Sequence, residues 1–315
     1  MPLTLKNFNK APLPPINFTA NTAWSTVQLK KSGTPTSVTL ETSTDKINWS
    51  TYTFDTDITL TNIWDKVYFR NTSETDTGFS VNWGYYSFVM TWSISAGWDT
   101  TSLLNKNWTT TVGERCLQRL FYNCSSLTTA PSLPATTLAK NCYEYMFQWC
   151  TSLTVAPELP ATTLYNWCYW EMFYWCTSLT TPPVLPATTL AEYCYSSMFY
   201  WCTALETVPE LPATTLVANC YTYMFQWCTA LKSLPKLYAT TLPIYCYYYM
   251  FRDCTNIKLS TSKTWIYQTS YRIPFTWTGT AWTNSLWGII WWTGWTYTST
   301  VNVNTTYYTS NTLVW

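Results

Sequence analysis

The chain's twelve cysteines fall in six pairs that recur on one 26-residue interval: Cys116 and Cys124, Cys142 and Cys150, Cys168 and Cys176, Cys194 and Cys202, Cys220 and Cys228, Cys246 and Cys254. So strict a period predicts stacked structural repeats, each burying its apolar side against the next. One copy is visible almost whole from Leu153 to Leu179, where a Pro-x-Leu-Pro-Ala-Thr-Thr-Leu segment leads into Cys-Tyr-x-x-Met-Phe-x-Trp-Cys. Repeats of this kind display long binding surfaces rather than enclose catalytic pockets.

Composition narrows the function classes. Seventeen Lys and Arg against sixteen Asp and Glu leave a net charge of +1, with no basic run to neutralise a phosphate backbone, so nucleic acid is not expected as a partner. Histidine is absent, which removes the commonest general base and metal ligand together with every Ser-His or Cys-His arrangement. The glutamates Glu144, Glu158, Glu171, Glu192, Glu206 and Glu210 do not recur at one repeat position. A non-catalytic protein without cofactor or metal is therefore expected.

The opening residues carry prolines and asparagines where a secretory signal needs an unbroken apolar stretch, and no signal peptide is recognisable. The strongest apolar run, Leu286 to Trp292, is too short to span a bilayer.

Along the chain, residues 1–20 read as a lead and 21–95 as a small antiparallel β-sandwich. Residues 96–115 read as a connector and N-terminal cap, 116–259 as six repeats and 260–315 as a C-terminal cap. Period-two alternation in Thr26-Val27-Gln28-Leu29-Lys30, Ser37 to Glu41, Asp57 to Thr61 and Lys66 to Arg70 supplies the strands. Within a repeat, Leu138, Cys142 and Met146 at steps of four predict an apolar stripe on a helix of about three turns. The proline-punctuated Leu153 to Leu159 predicts the extended half.

Three readings of the cysteines compete. On such a helix, positions eight apart lie about 12 Å apart, beyond the roughly 7 Å reach of a disulfide. Equivalent cysteines of successive repeats could pair, but a column of small buried thiols is the plainer account. Metal is disfavoured because neither a Cys-x-x-Cys pair nor a histidine occurs.

Before the second cysteine stand Asn123, Trp149, Trp175, Trp201, Trp227 and Asp253. Asn and Asp tolerate positive φ, and a left-handed residue is what a glycine normally supplies. Yet no glycine occurs between Cys116 and Cys254, and the chain has 8 Gly against 21 Trp. Asn82-Trp83, Asn107-Trp108 and Trp64-Asp65 likewise stand where glycine turns are natural. One reading is a reassigned UGA codon, decoded as tryptophan where the native meaning is glycine. As written, Trp149, Trp175, Trp201 and Trp227 form either a ladder of aromatic platforms or an extension of the core, and Tyr143, Tyr169, Tyr195, Tyr221 and Tyr247 a second column. The variable pairs after Cys-Tyr, namely Glu144-Tyr145, Trp170-Glu171, Ser196-Ser197, Thr222-Tyr223 and Tyr248-Tyr249, are where specificity is expected. Trp170, Tyr223, Tyr248 and Tyr249 join the four ladder tryptophans as candidate ligand-binding residues.

The repeat resembles the BspA-like leucine-rich repeats of bacterial surface proteins: Phe147, Cys150, Leu153 and Pro157 take that motif's places, and Trp149 stands where its glycine would be. Thr44-Asp45, Asn71 to Glu74, Tyr271 to Pro274 and Asn304 to Tyr308 look like segments flanking such repeats in gut bacterial and bacteriophage-associated proteins. The resemblance implies a leucine-rich-repeat-like solenoid with a short strand and short helix per coil, preceded by the β-sandwich. It also implies a surface recognition or adhesion protein, on a cell surface or extracellular, that binds host protein or glycan through the repeat face. A bacteriophage fibre or decoration protein, with self-association or virion assembly, is the alternative reading.

Overall fold

The computed structural model describes residues 15–35, 37–73, 84–104, 112–275, 278–291, 293 and 301–314. Asn82-Trp83, Asn107-Trp108 and most of the N-terminal lead lie outside them.

Two sheets form the N-terminal part. Their strands are β1 (Ile16–Ala20), β2 (Ser25–Gly33), β3 (Leu40–Ser43), β4 (Ser50–Thr51), β5 (Ile58–Leu60), β6 (Lys66–Asn71), β7 (Gly84–Met90), β8 (Ile94–Gly97) and β9 (Leu127–Thr129). One sheet has the order β4-β3-β6-β1-β8-β9 and the other β5-β2-β7. Alternation turns Val27 and Leu29 inward, both fully buried. Phe18 and Phe69 of the first sheet meet Phe88 of the second, with ring centroids 4.5 and 5.3 Å from it.

The helix expected along Leu138, Cys142 and Met146 does not form, and with it falls the solenoid of short strand plus short helix. Among the described residues the one helical element is a 3-10 turn, Thr100–Leu103. The strands lie in five separate sheets, none running along the repeats. Positive φ at every fourth residue is the physical reason: Asn141 (58°), Tyr145 (58°) and Trp149 (67°), then Trp167, Glu171 and Trp175, and so on to Tyr245, Tyr249 and Asp253. An α-helix admits no such residues, because each places its Cβ against the following carbonyl.

What forms instead is a ribbon of consecutive turns with period four. The amides of Cys142, Glu144, Met146, Gln148 and Cys150 each bond the carbonyl three residues back, at 3.1–3.3 Å. Those between them, Asn141, Tyr143, Tyr145, Phe147 and Trp149, donate to Asn166, Cys168, Trp170, Met172 and Tyr174 of the next repeat, at 2.9–3.1 Å. Half of the backbone donors thus close turns and half tie repeats together, which satisfies the ribbon without helix or sheet. Between the inner repeats the extended half is likewise no sheet; Val155 meets Thr181 and Thr163 meets Thr189 as single parallel bridges.

This spacing stacks equivalent side chains. Phe121, Phe147, Phe173, Phe199, Phe225 and Phe251 form a buried column with centroids 5.3–5.6 Å apart and planes within 8°. Tyr143, Tyr169, Tyr195, Tyr221 and Tyr247 form another, at 5.7–5.9 Å. All twelve cysteines are free thiols and buried.

Both ends of the stack are closed by chain that the cysteine interval does not reveal. At the front, Phe88 stacks on Phe121 at 5.5 Å, and β8 pairs in parallel with β9 of the first repeat, so one core runs from sheets into repeats. At the back, Ser285, Leu286, Trp287, Gly288, Ile289, Ile290 and Trp291 act as a further unit. The amides of Tyr247, Tyr249, Phe251 and Asp253 donate to the carbonyls of Ser285, Trp287, Ile289 and Trp291, the pattern each repeat shows toward its successor. Ser285 stands in the cysteine column. Gly288, at φ 60°, stands in the column of Tyr249, and a Cβ on it would collide with the Tyr249 ring.

Candidate binding face

Three outward columns line the turn ribbon: the residue before the first cysteine, and the two residues after Cys-Tyr. In them the side chains of successive repeats lie one above another, so one small residue opens a gap between large neighbours. That happens in the fourth repeat. Trp170 and Glu171 precede it and Thr222 and Tyr223 follow, but the repeat itself contributes Ser196 and Ser197.

The gap is a cavity of about 450 Å³ lined by Trp170, Glu171, Tyr193, Ser196, Ser197, Asn219, Thr222, Tyr223, Tyr245 and Tyr248. Its size lies within the range of small-ligand sites. One wall is Trp170, held by Tyr145 at 5.1 Å. The opposite wall is a tyrosine cluster in which Tyr248 packs edge-on against Tyr223 at 5.4 Å and Tyr245 at 5.1 Å. Tyr193 is fixed by stacking on Trp167 at 5.6 Å.

The floor is polar. Ser196 and Ser197 are 3% and 7% exposed, and neither hydroxyl has a hydrogen-bond partner among the described residues. Thr222, by contrast, donates to the carbonyl of Tyr245 at 2.6 Å. Glu171 accepts from Gln148 Nε2 at 2.7 Å, and burial pushes its carboxyl up to about 7 against that bond. Among the described residues, no Lys or Arg lines the cavity.

A second carboxyl, Glu144, lies one repeat earlier, outside the cavity. It accepts from Gln118 at 2.8 Å and from Asn141, and burial raises it too, partly offset by Asn141 and by Arg115 and Arg119. Arg119 lies over the Tyr145 ring at 4.7 Å, a cation–π contact that steadies the ring supporting Trp170.

Of the candidate residues, Trp170, Tyr223 and Tyr248 come together here. Tyr249 does not line the cavity; it packs behind Tyr248 at 4.1 Å and against Trp291 at 5.5 Å. Trp149, Trp175, Trp201 and Trp227 form a separate column in which successive rings stack at 4.4–4.7 Å with planes within 24°. Their faces cover one another, so the column turns edges rather than open platforms outward. Sequence reasoning missed Tyr193, Asn219 and Tyr245. Their signal was available in the four-residue step back from Ser197, Tyr223 and Tyr249.

The arrangement can hold a ligand between aromatic walls and hydroxyls. Comparisons with family models, with curated proteins and with solved structures found no match. No helix among the described residues is long and apolar enough to cross a membrane.

Proposed function

We propose that the chain is a non-catalytic recognition protein of a cell surface, secretion or virion, which binds protein or glycan through the outward columns of its turn ribbon. The observation that carries this reading is the cavity over Ser196 and Ser197, where aromatic walls and free hydroxyls converge on a stacked scaffold. A rigid stack holds those groups in place before binding, which spares the ordering cost that weakens flexible sites. Among the described residues, Glu171 is the one carboxyl lining the cavity, without the second carboxyl that general acid–base hydrolysis of a glycoside uses.

The test is retention of the full chain on immobilised extracellular-matrix proteins and on a glycan array, with Trp170→Ala and Tyr248→Ala alongside. Binding that both variants weaken without a change in unfolding midpoint supports the reading. Binding that neither variant moves places recognition elsewhere and overturns it.

A further inference from the structure

The cavity's chemistry narrows its ligand beyond recognition in general, and this step rests on the recognition reading above. Its walls are aromatic: Trp170 on one side, Tyr223 and Tyr248 on the other. Flat π faces suit a ligand with an apolar C–H face rather than a flexible charged one. Ser196 and Ser197 line the cavity between these walls and are not among the buried atoms left without a partner, so their hydroxyls stay open to bond the hydroxyls of a ligand. Asn219 adds an amide able both to donate and to accept.

Charge excludes the alternatives. Among the described residues, no Lys or Arg lines the cavity to receive a phosphate, sulfate or carboxylate. Glu171 accepts from Gln148 at 2.7 Å and keeps acceptor capacity for a ligand hydroxyl. This lining fits a neutral ligand that is rich in hydroxyls and apolar on one face.

We infer that the cavity seats one pyranose ring of a neutral glycan, its C–H face against Trp170 and its hydroxyls toward Ser196, Ser197, Asn219 and Glu171. The small residues of the fourth repeat make the site, since Trp170 and Tyr248 show that the same column accepts large rings in other repeats. Ser196→Trp should fill the cavity while leaving the stack folded.

The experiment probes an array of neutral glycans with the full chain, then titrates the methyl pyranoside matching the best glycan's terminal sugar, read by tryptophan fluorescence. Saturable binding is expected, weakened about ten-fold by Trp170→Ala, the loss of one aromatic contact. Ser196→Trp, checked for folding by circular dichroism, is expected to abolish it. If no neutral glycan binds, or binding survives in folded Ser196→Trp, the assignment is overturned. Retention on matrix proteins that Trp170→Ala weakens, with no glycan bound, removes the sugar and leaves the recognition reading standing. Failure of both assays removes both.

Discussion

The thiol of Cys202 donates to the carbonyl oxygen of Phe173, 3.1 Å away in the preceding repeat. The same bond joins Cys150 to Phe121, Cys176 to Phe147, Cys228 to Phe199 and Cys254 to Phe225, at 2.9–3.1 Å. A cysteine meets the demands of this position because it is small, apolar in packing and still a weak donor. Phe173's carbonyl also accepts from the amide of Cys176, so deleting the thiol leaves no orphaned acceptor. Cys202→Ala is therefore expected to cost about 1–2 kcal/mol, mostly lost packing, measured as a fall in urea midpoint. Phe199→Ala, which removes a ring stacked on both sides, is expected to cost about 3–5 kcal/mol.

Burial also governs thiol chemistry. It pushes Cys142, Cys194 and Cys246 up to about 12 and the other thiols upward too. Thiolate is the reactive form, so the native chain is expected to give no reaction with a thiol-specific reagent at pH 8. All twelve cysteines should react once the chain is unfolded in guanidinium. Reaction before unfolding would show that the columns open locally.

The repeat interval was legible from the cysteines alone, but the local backbone was not. Leu138, Cys142 and Met146 at steps of four fit three turns of helix nearly as well as they fit a four-residue turn ribbon. Only a longer run would have separated the two periods. Of the residues that decide between them, those at the positions of Asn141 and Tyr145 differ from repeat to repeat, and the position of Trp149 is tryptophan in four repeats, a type that does not by itself mark positive φ. Asn123 and Asp253 did point to left-handed backbone, and they stand at φ 61° and 62°. The cavity's variable pairs could be read from sequence. Its third column, Tyr193, Asn219 and Tyr245, stands one four-residue step back from those pairs, a step that gains meaning only once the ribbon replaces the helix. The closing unit at 284–291 was hidden because Ser285 takes the cysteine's place.

Glu171 makes stability depend on pH in a window that no histidine confuses, since the chain has none. Its folded carboxyl lies at about 7, above its ordinary 4.5, so the folded state holds the proton more tightly than the unfolded one. The stabilising contribution is complete below about pH 4.5 and is lost as pH rises through 7. Glu144 is shifted the same way. Unfolding free energy is expected to fall by about 2–3 kcal/mol between pH 5 and pH 8. Glu171→Gln keeps an acceptor for Gln148 and should flatten most of that slope; an unchanged slope would remove Glu171 from the account.

Tryptophan in the left-handed region gives two opposite expectations in one chain. Trp24, Trp64 and Trp92 have φ of 62°, 74° and 60° in turns of the N-terminal sheets and are 67%, 72% and 68% exposed. An L residue there costs about 1–2 kcal/mol, and rings this exposed recover little of it. Glycine removes the strain but gives the unfolded chain more freedom, about 0.5–1 kcal/mol. Each Trp→Gly change at these sites is thus expected to raise stability by about 0.5 kcal/mol. Trp201 has φ 63° but stacks on Trp175 at 4.4 Å and on Trp227 at 4.7 Å. Two stacking contacts, at about 0.5–1.5 kcal/mol each, outweigh the relief, so Trp201→Gly is expected to lower stability by about 1 kcal/mol. Denaturation midpoints of the four variants check both signs. Peptide sequencing across Phe147 to Leu153 in protein from its native source tests the codon reading directly. Glycine at 149 would mean that the codon is decoded as glycine, and the stack of Trp149, Trp175, Trp201 and Trp227 would give way to unstrained turns.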